Sequence, residues 1–323
     1  MSNVLEVKDV VISALSPTGS IDLVEGVSFT LKAGEITALV GESGCGKSMT
    51  ALALMGLLPP GVKMTSGEIW LNGDRICRST EAQWQSIRGR RIAMIFQEPM
   101  TSLNPLISVG EQISEVFRLH FGDSKKEALK KSVEMLRKVK IPDPENRASQ
   151  HPHQMSGGMR QRVMIAMALA SNPDLLIADE PTTALDVTIQ AQVLQLVREI
   201  VEDDPSNKTA VLLITHDMGV VSETAAKIIV MYAGLEVEVG SVKSVFSNPR
   251  HPYTRGLLEA IPKPHQDRLI SIPGLVPRPG ERPKGCGFAP RCSLVQPECK
   301  IERISIFEKG SGEEKILSRC IVD

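Results

Sequence analysis

The sequence predicts an α/β fold with a parallel-sheet core, and three observations carry that prediction. Gly41-Glu42-Ser43-Gly44-Cys45-Gly46-Lys47-Ser48 has the glycine spacing and the Lys-Ser ending of a phosphate-binding loop. Short apolar runs at residues 36–40, 175–178 and 211–214 read as buried strands. A helical stretch at 187–201 separates the last two, and such alternation places ligands at the carboxyl ends of the strands.

In chain order, residues 5–12 and 27–32 read as strands around a polar Ser16-Pro17-Thr18-Gly19-Ser20 turn. The 36–40 strand feeds the loop, and Met49-Thr50-Ala51-Leu52-Ala53-Leu54-Met55 continues it as a helix without a breaker. Gly41, Gly44 and Gly46 permit a tight path, so the N–H groups of Ser43, Cys45 and Met49 can turn toward a phosphate chain at a positive helix end. Lys47 supplies a point charge for the terminal phosphates, and the Ser48 hydroxyl suits Mg²⁺. Residues 67–73 make a further strand closed by an Asn-Gly turn, and 92–97 another. Residues 108–140 are helical in pattern until Ile141-Pro142-Asp143-Pro144 stops them. A helix at 157–170 and short strands at 228–231 and 236–239 follow. Six prolines between 261 and 283 predict an extended linker.

Composition narrows the function. A chain of 323 residues allows about two domains. A net charge of −1 and an aromatic content of 3% argue against a nucleic-acid partner, which needs a basic footprint or stacking platforms. Met1-Ser2-Asn3-Val4-Leu5-Glu6 lacks the features of a signal peptide, and apolar runs such as 163–170 fall short of the ~20 residues that span a bilayer. The expectation is a cytoplasmic chain that reaches a membrane through a partner.

Asp179 and Glu180 end the strand at 175–178, one suited to Mg²⁺ and the other to accepting a proton from water. His216 ends the next strand, positioned for a γ-phosphate, and Gln97 ends another, where its amide can orient water or ligate Mg²⁺. Met155-Ser156-Gly157-Gly158-Met159-Arg160-Gln161-Arg162 adds a second anion-binding helix start.

Together these stretches resemble the ATP-binding cassette (ABC) family over nearly the whole chain. Residues 41–48 match its Walker A motif, 177–180 lie in Walker B, Gln97 matches the Q-loop, Ala184-Leu185-Asp186 the D-loop and His216 the switch histidine. Residues 155–159 match the signature, with Met at its first and last positions. Four stretches resemble the peptide/nickel importer branch, and within it the first ATPase subunit of dipeptide/oligopeptide permeases. They are residues 95–105, residues 178–188, Arg250-His251-Pro252-Tyr253-Thr254 and the cysteine tail.

The resemblance implies a P-loop nucleotide-binding domain at 1–250, with an antiparallel β subdomain and a helical signature subdomain at about 98–165, then a linker at 251–285 and a tail at 286–323. It implies ATP and Mg²⁺, with Glu180 as base, and Ser156, Gly157 and Gly158 completing the ATP site of a second, paralogous cassette. It implies two membrane permease subunits and an extracytoplasmic binding protein as further partners, with this chain itself at the cytoplasmic face of the membrane. The helical region from 98 to 148 would receive a short permease helix. Peptide is the implied cargo, with nickel or oligosaccharide as alternatives and a soluble non-transport ATPase as another reading.

Two positions depart from the family. Ile21 stands where an aromatic usually stacks on adenine, so the expected contact is apolar and weak. Cys45 replaces a common Ser, either as a thiol of lowered pKa beside Lys47 or simply as a small side chain. Four further cysteines, Cys286, Cys292, Cys299 and Cys320, offer soft ligands at spacings that are not those of a zinc ribbon. By resemblance they form a 4Fe–4S site, with zinc as the alternative.

Overall fold

The computed structural model describes residues 2–16, 19–97, 102–181, 187–202, 209–262, 271–312 and 315–322. They form two compact units: Met1–Val4, Lys32–Glu35 and Arg78–Leu212 in the first, Leu5–Leu31, Ile36–Cys77 and Leu213–Asp323 in the second. Residues 41–48 and the cysteine tail both fall in the second unit.

The second unit begins with β1 (Asn3–Ser16) and β2 (Gly19–Lys32), both longer than their apolar runs suggest. β3 (Ile36–Val40) is buried along its whole length and leads into α1 (Lys47–Leu54). β4 (Val62–Leu71) pairs antiparallel with β1 from Leu5 opposite Leu71 to Ala14 opposite Val62. Asn72 and Gly73, both at positive φ, turn the chain into the two-residue β5 (Asp74–Arg75), as the Asn-Gly pair predicts. The resulting sheet runs β2-β1-β4-β5.

The first unit is mainly helical. α2 (Glu81–Ile87) opens on a reciprocal cap between Thr80 and Gln83, and β6 (Ile92–Ile95) follows. The single helical stretch expected at 108–140 is two helices, α3 (Val109–Phe121) and α4 (Lys125–Lys138). Gly122 ends the first in a left-handed conformation, and Ser124 restarts the second by capping Glu127. The short α5 (Pro144–Arg147) leads to α6 (Gly157–Leu169). β7 (Leu175–Asp179) pairs parallel with β6, Ile92 opposite Leu175 through Ile95 opposite Ala178, and α7 (Val187–Glu202) comes after it.

β8 (Ala210–Thr215) carries the chain back to the second unit. There α8 (Met218–Thr224), β9 (Lys227–Tyr232), β10 (Leu235–Ser241), α9 (Val242–Ser247) and α10 (Pro252–Glu259) follow. β9 lies parallel to β3 and antiparallel to β10. The tail then adds β11 (Phe307–Lys309) and β12 (Ile316–Ser318), with β12 hydrogen-bonded to β10. One apolar core joins Ala38 and Val40 of β3 to Val230 and Tyr232 of β9, Tyr253 of α10, Phe288 and Ile316, with Cys286 and Cys292 packed against it. Among the described residues, no helix is long and apolar enough to cross a membrane.

His251 shows why the Arg-His-Pro-Tyr-Thr stretch has that composition. Its Nδ1 accepts the Tyr253 N–H at 3.1 Å, capping α10, while its own N–H donates to Glu238 Oε2 at 2.9 Å. Burial lowers its pKa from 6.5 to about 3, with Lys309 acting in the same direction. Above pH 6.5 the imidazole is neutral in both folded and unfolded chains, so its contribution is complete. As pH falls below 6.5 the unfolded chain takes a proton that the folded chain refuses, and stability is lost. Between pH 7.5 and 5 this amounts to about 2 kcal/mol. Urea unfolding at both pH values should show that drop in the wild type and not in His251→Asn, which keeps a capping acceptor; equal drops would contradict the assignment.

Candidate functional site

The loop at 41–48 is fixed from its first residue. Gly41 has φ 152°, and a Cβ there would stand 2.2 Å from the carbonyl oxygen of Met231 on β9, so no side chain fits. Gly46, at φ 106°, precedes the first turn of α1. Lys47 is buried, and its Nζ donates to the carbonyls of Gly41 at 2.7 Å and Glu42 at 3.1 Å. Its ammonium therefore rests on the loop's own backbone. Ser43, Gly44 and Ser48 face solvent, and Met49 is half-buried.

Cys45 is fully buried, with its Sγ 3.8 Å from Lys47 Nζ. Burial raises its pKa, and the attraction of Lys47 only partly offsets this. The expectation of a lowered thiol pKa is thereby corrected: desolvation of a thiolate outweighs one neighbouring cation. Ile21 lies half-buried on β2, where the backbone at Gly280 comes close to its side chain. His216 is exposed directly after β8. The next residue, Asp217, caps α8 by accepting the N–H groups of Gly219 and Val220 at 2.8 and 3.2 Å.

In the first unit, Asp179 is the buried last residue of β7. Glu180 follows in a left-handed backbone conformation at φ 46°, costly for a non-glycine residue. Its Oε2 accepts the Gln97 amide at 3.0 Å, which joins two residues that stand 83 apart in sequence. Gln161 of α6, fully buried, donates to the carbonyl of Pro181 at 2.5 Å and anchors the turn behind Glu180. Sequence reasoning assigned Gln161 no role; its place just inside the glycine-started helix was the only cue.

Ser156 caps α6 through the Met159 N–H at 3.3 Å and is itself exposed. The two glycines after it differ. A Cβ at Gly157 meets nothing within 4 Å, whereas at Gly158 it would stand 2.8 Å from Ile189 Cγ2 on α7. Gly158 is therefore required by helix packing, and Gly157 leaves the helix start open. Residues 98–101 and the stretch Ala184-Leu185-Asp186 lie outside the described residues.

The four tail cysteines are free thiols that line one tight cavity of about 10 Å³. The Cys286 N–H donates to the Cys299 carbonyl at 2.7 Å, and β12 delivers Cys320. Burial pushes Cys286 up to about 11 and raises Cys292 and Cys320 as well. Among the described residues no three His, Cys, Asp or Glu side chains are grouped so as to hold a metal ion. Four sulfurs around one cavity are nonetheless the donor set of a soft metal.

Comparison with known proteins agrees with this geometry. Residues 24–183 match the ABC transporter family, and residues 237–299 match the oligopeptide/dipeptide transporter C-terminal region. A probable peptide ABC transporter ATP-binding protein of Sinorhizobium fredii is 53% identical over 85% of this chain and 82% of its own. The dipeptide transport ATP-binding protein DppD of Bacillus subtilis is 50% identical over 90% of this chain and 87% of its own. The oligopeptide transport ATP-binding protein OppD of Haemophilus influenzae is 45% identical over 96% of each. A dimeric ATP-binding cassette solved in a post-hydrolysis state with ADP and Pi superposes with a TM-score of 0.65, at 29% identity, over 74% of this chain and 98% of that one. A phosphate loop fed by β3, a Glu180 held by Gln97, and a region at 237–299 shared with oligopeptide/dipeptide transporters lead to one conclusion: the chain belongs to the ABC transporter family of ATP-binding proteins, in the group with the oligopeptide/dipeptide transporter C-terminal region.

Proposed function

We propose that this chain is the ATP-hydrolysing subunit that energises an importer of di- or oligopeptides from the cytoplasmic face of a cell membrane. The observation that carries the reading is that the phosphate loop and the region matching oligopeptide/dipeptide transporters fold into one unit. Relatives named for peptide, dipeptide and oligopeptide transport, 45–53% identical, support the cargo class.

In this reading Lys47 exchanges its two carbonyl partners for terminal phosphate oxygens, and the N–H groups of loop 41–48 hold the rest of the triphosphate. Ser48, Asp179 and Gln97 would supply hard oxygen ligands for Mg²⁺, which when bound would neutralise charge on the phosphates. Glu180 takes the proton of the attacking water, with its carboxylate oriented by Gln97. His216 contacts the γ-phosphate, and Ile21 offers adenine an apolar surface. Ser156 and the open Gly157 face the nucleotide of a second cassette, a paralogue, and the dimeric cassette with ADP and Pi supports such pairing. Leu106, Leu119 and Phe121, exposed in the first unit, suit contact with one of two permease subunits. An extracytoplasmic binding protein delivers the cargo.

The tail cysteines fit a 4Fe–4S cluster, with zinc as the alternative. Binding either one requires the four thiols to be deprotonated and drawn together, so Cys286, whose pKa burial pushes up to about 11, must release its proton on loading. A cluster would supply a rigid covalent core to the tail.

Three measurements test this reading. In the assembled transporter, Glu180→Gln should lower phosphate release by about 100-fold or more with ATP binding retained; normal turnover would remove Glu180 as the base. With Ile21 in place of an aromatic, ATP and GTP should bind within about threefold of one another, since a lost stacking contact is worth roughly 1 kcal/mol. A large preference for ATP in nucleotide titrations would refute the Ile21 assignment. Protein purified without oxygen should carry iron and acid-labile sulfide in equal amounts, lost in Cys292→Ser; zinc without sulfide would rule out the cluster.

A further inference from the structure

Both tyrosines of this chain and one arginine of the cysteine segment converge on the second residue of the phosphate loop. Arg291 grips the Glu42 carboxylate with both arms, Nη1 to Oε2 at 2.7 Å and Nη2 to Oε1 at 3.0 Å. Nη1 also donates to Tyr232 Oη at 3.3 Å, Nη2 to the Ile272 carbonyl at 3.3 Å, and Nε to the Pro273 carbonyl at 2.7 Å. Every one of the five guanidinium N–H groups thus has an acceptor, an arrangement that lysine cannot reproduce. The guanidinium lies 5.7 Å from the centre of the Tyr232 ring and 5.8 Å from that of Phe288. Its side chain is 4% exposed, against 33% for that of Glu42.

Glu42 is held at three points. Arg291 holds its carboxylate, Tyr253 Oη accepts its N–H at 2.8 Å, and its carbonyl accepts from Lys47 Nζ at 3.1 Å and from the Cys45 N–H at 3.3 Å. Tyr253 is steadied in turn by Tyr232, ring centres 4.6 Å apart, and by Phe288 at 5.5 Å. Of these contacts, the one from Lys47 is the one that ATP removes in this reading, because Lys47 must turn to the phosphates.

We propose that Arg291, assisted by Tyr253, is a positioning residue for ATP: it keeps Glu42 and the loop N–H groups in place when Lys47 leaves, and so couples the fold of the cysteine segment to nucleotide affinity. The inference rests on the reading of residues 41–48 as the ATP site. Without the brace, ATP binding must order the loop as well as fill it, and affinity falls by that cost. The coupling is reciprocal, so bound ATP stabilises the segment around Arg291.

The test is titration of the purified full chain with a fluorescent ATP analogue in Mg²⁺, well below the thermal midpoint and referred to the binding-competent fraction. Arg291→Met should weaken binding about tenfold and Arg291→Lys by less, since the charge remains while the fork is lost. Glu42→Gln should weaken binding alone and add little in the Arg291→Met background, because both remove one contact. Unchanged affinity in Arg291→Met, or additive losses in the double variant, would overturn the brace. A merely structural role would lower the thermal midpoint and leave the affinity of folded molecules as it was. If Arg291→Met does not fold, Arg291→Lys and Tyr253→Phe decide, and wild-type affinity in both overturns the proposal. Lys47→Ala separates the two levels: loss of binding there upholds the ATP site whatever Arg291 does, and wild-type binding there would remove the site and the brace together.

Discussion

The approach of Gly41 to the carbonyl of Met231 sets the path of the phosphate loop. Parallel pairing of β3 with β9, up to Val40 opposite Val230, brings the loop's first residue against the end of the neighbouring strand. Only a residue without Cβ can follow there, and the backbone must take a positive φ. Everything that makes the loop useful begins from that forced turn. Lys47 folds back over it, Cys45 is buried beneath it, and Glu42 is directed toward the aromatic cluster of the second unit.

What the sequence revealed, and what it hid, follows from the range of the interactions concerned. The buried strands were legible because runs such as Leu175-Leu176-Ile177-Ala178 have one explanation once turns bound them. The loop was legible because its glycines sit at fixed local offsets. Gly122-Asp123-Ser124-Lys125-Lys126-Glu127 holds a glycine stop and a Ser-x-x-Glu start, a local signal for two helices that the helical period on either side obscures. β11 and β12 are three residues each, too short for any period to show. Cys45 was misjudged in one of its two readings, since proximity to Lys47 is visible in sequence and complete burial is not.

At the candidate site the same limit applies. Gln97, Asp179, Glu180 and His216 were found because each terminates a strand. The partners that hold them came from far along the chain: Gln161 reaches Pro181 from a helix, and Arg291 reaches Glu42 across 249 positions. Arg291 stands directly before Cys292, where nothing in the local sequence points to the phosphate loop. Its five satisfied N–H groups show that its position answers to the phosphate loop as well as to the tail.

The pairing of β12 with β10 bears on how the chain behaves outside its assembly. β12 occupies the flank of β10 that would otherwise present N–H and C=O groups, and β11 pairs with β12 beyond it. β10 is buried along most of its length, and an open edge on such a strand is a template for a strand from a neighbouring molecule. The last residues of the chain therefore act as a built-in guard against self-association. Shortening the protein before Phe307 would expose an adhesive edge as well as remove Cys320.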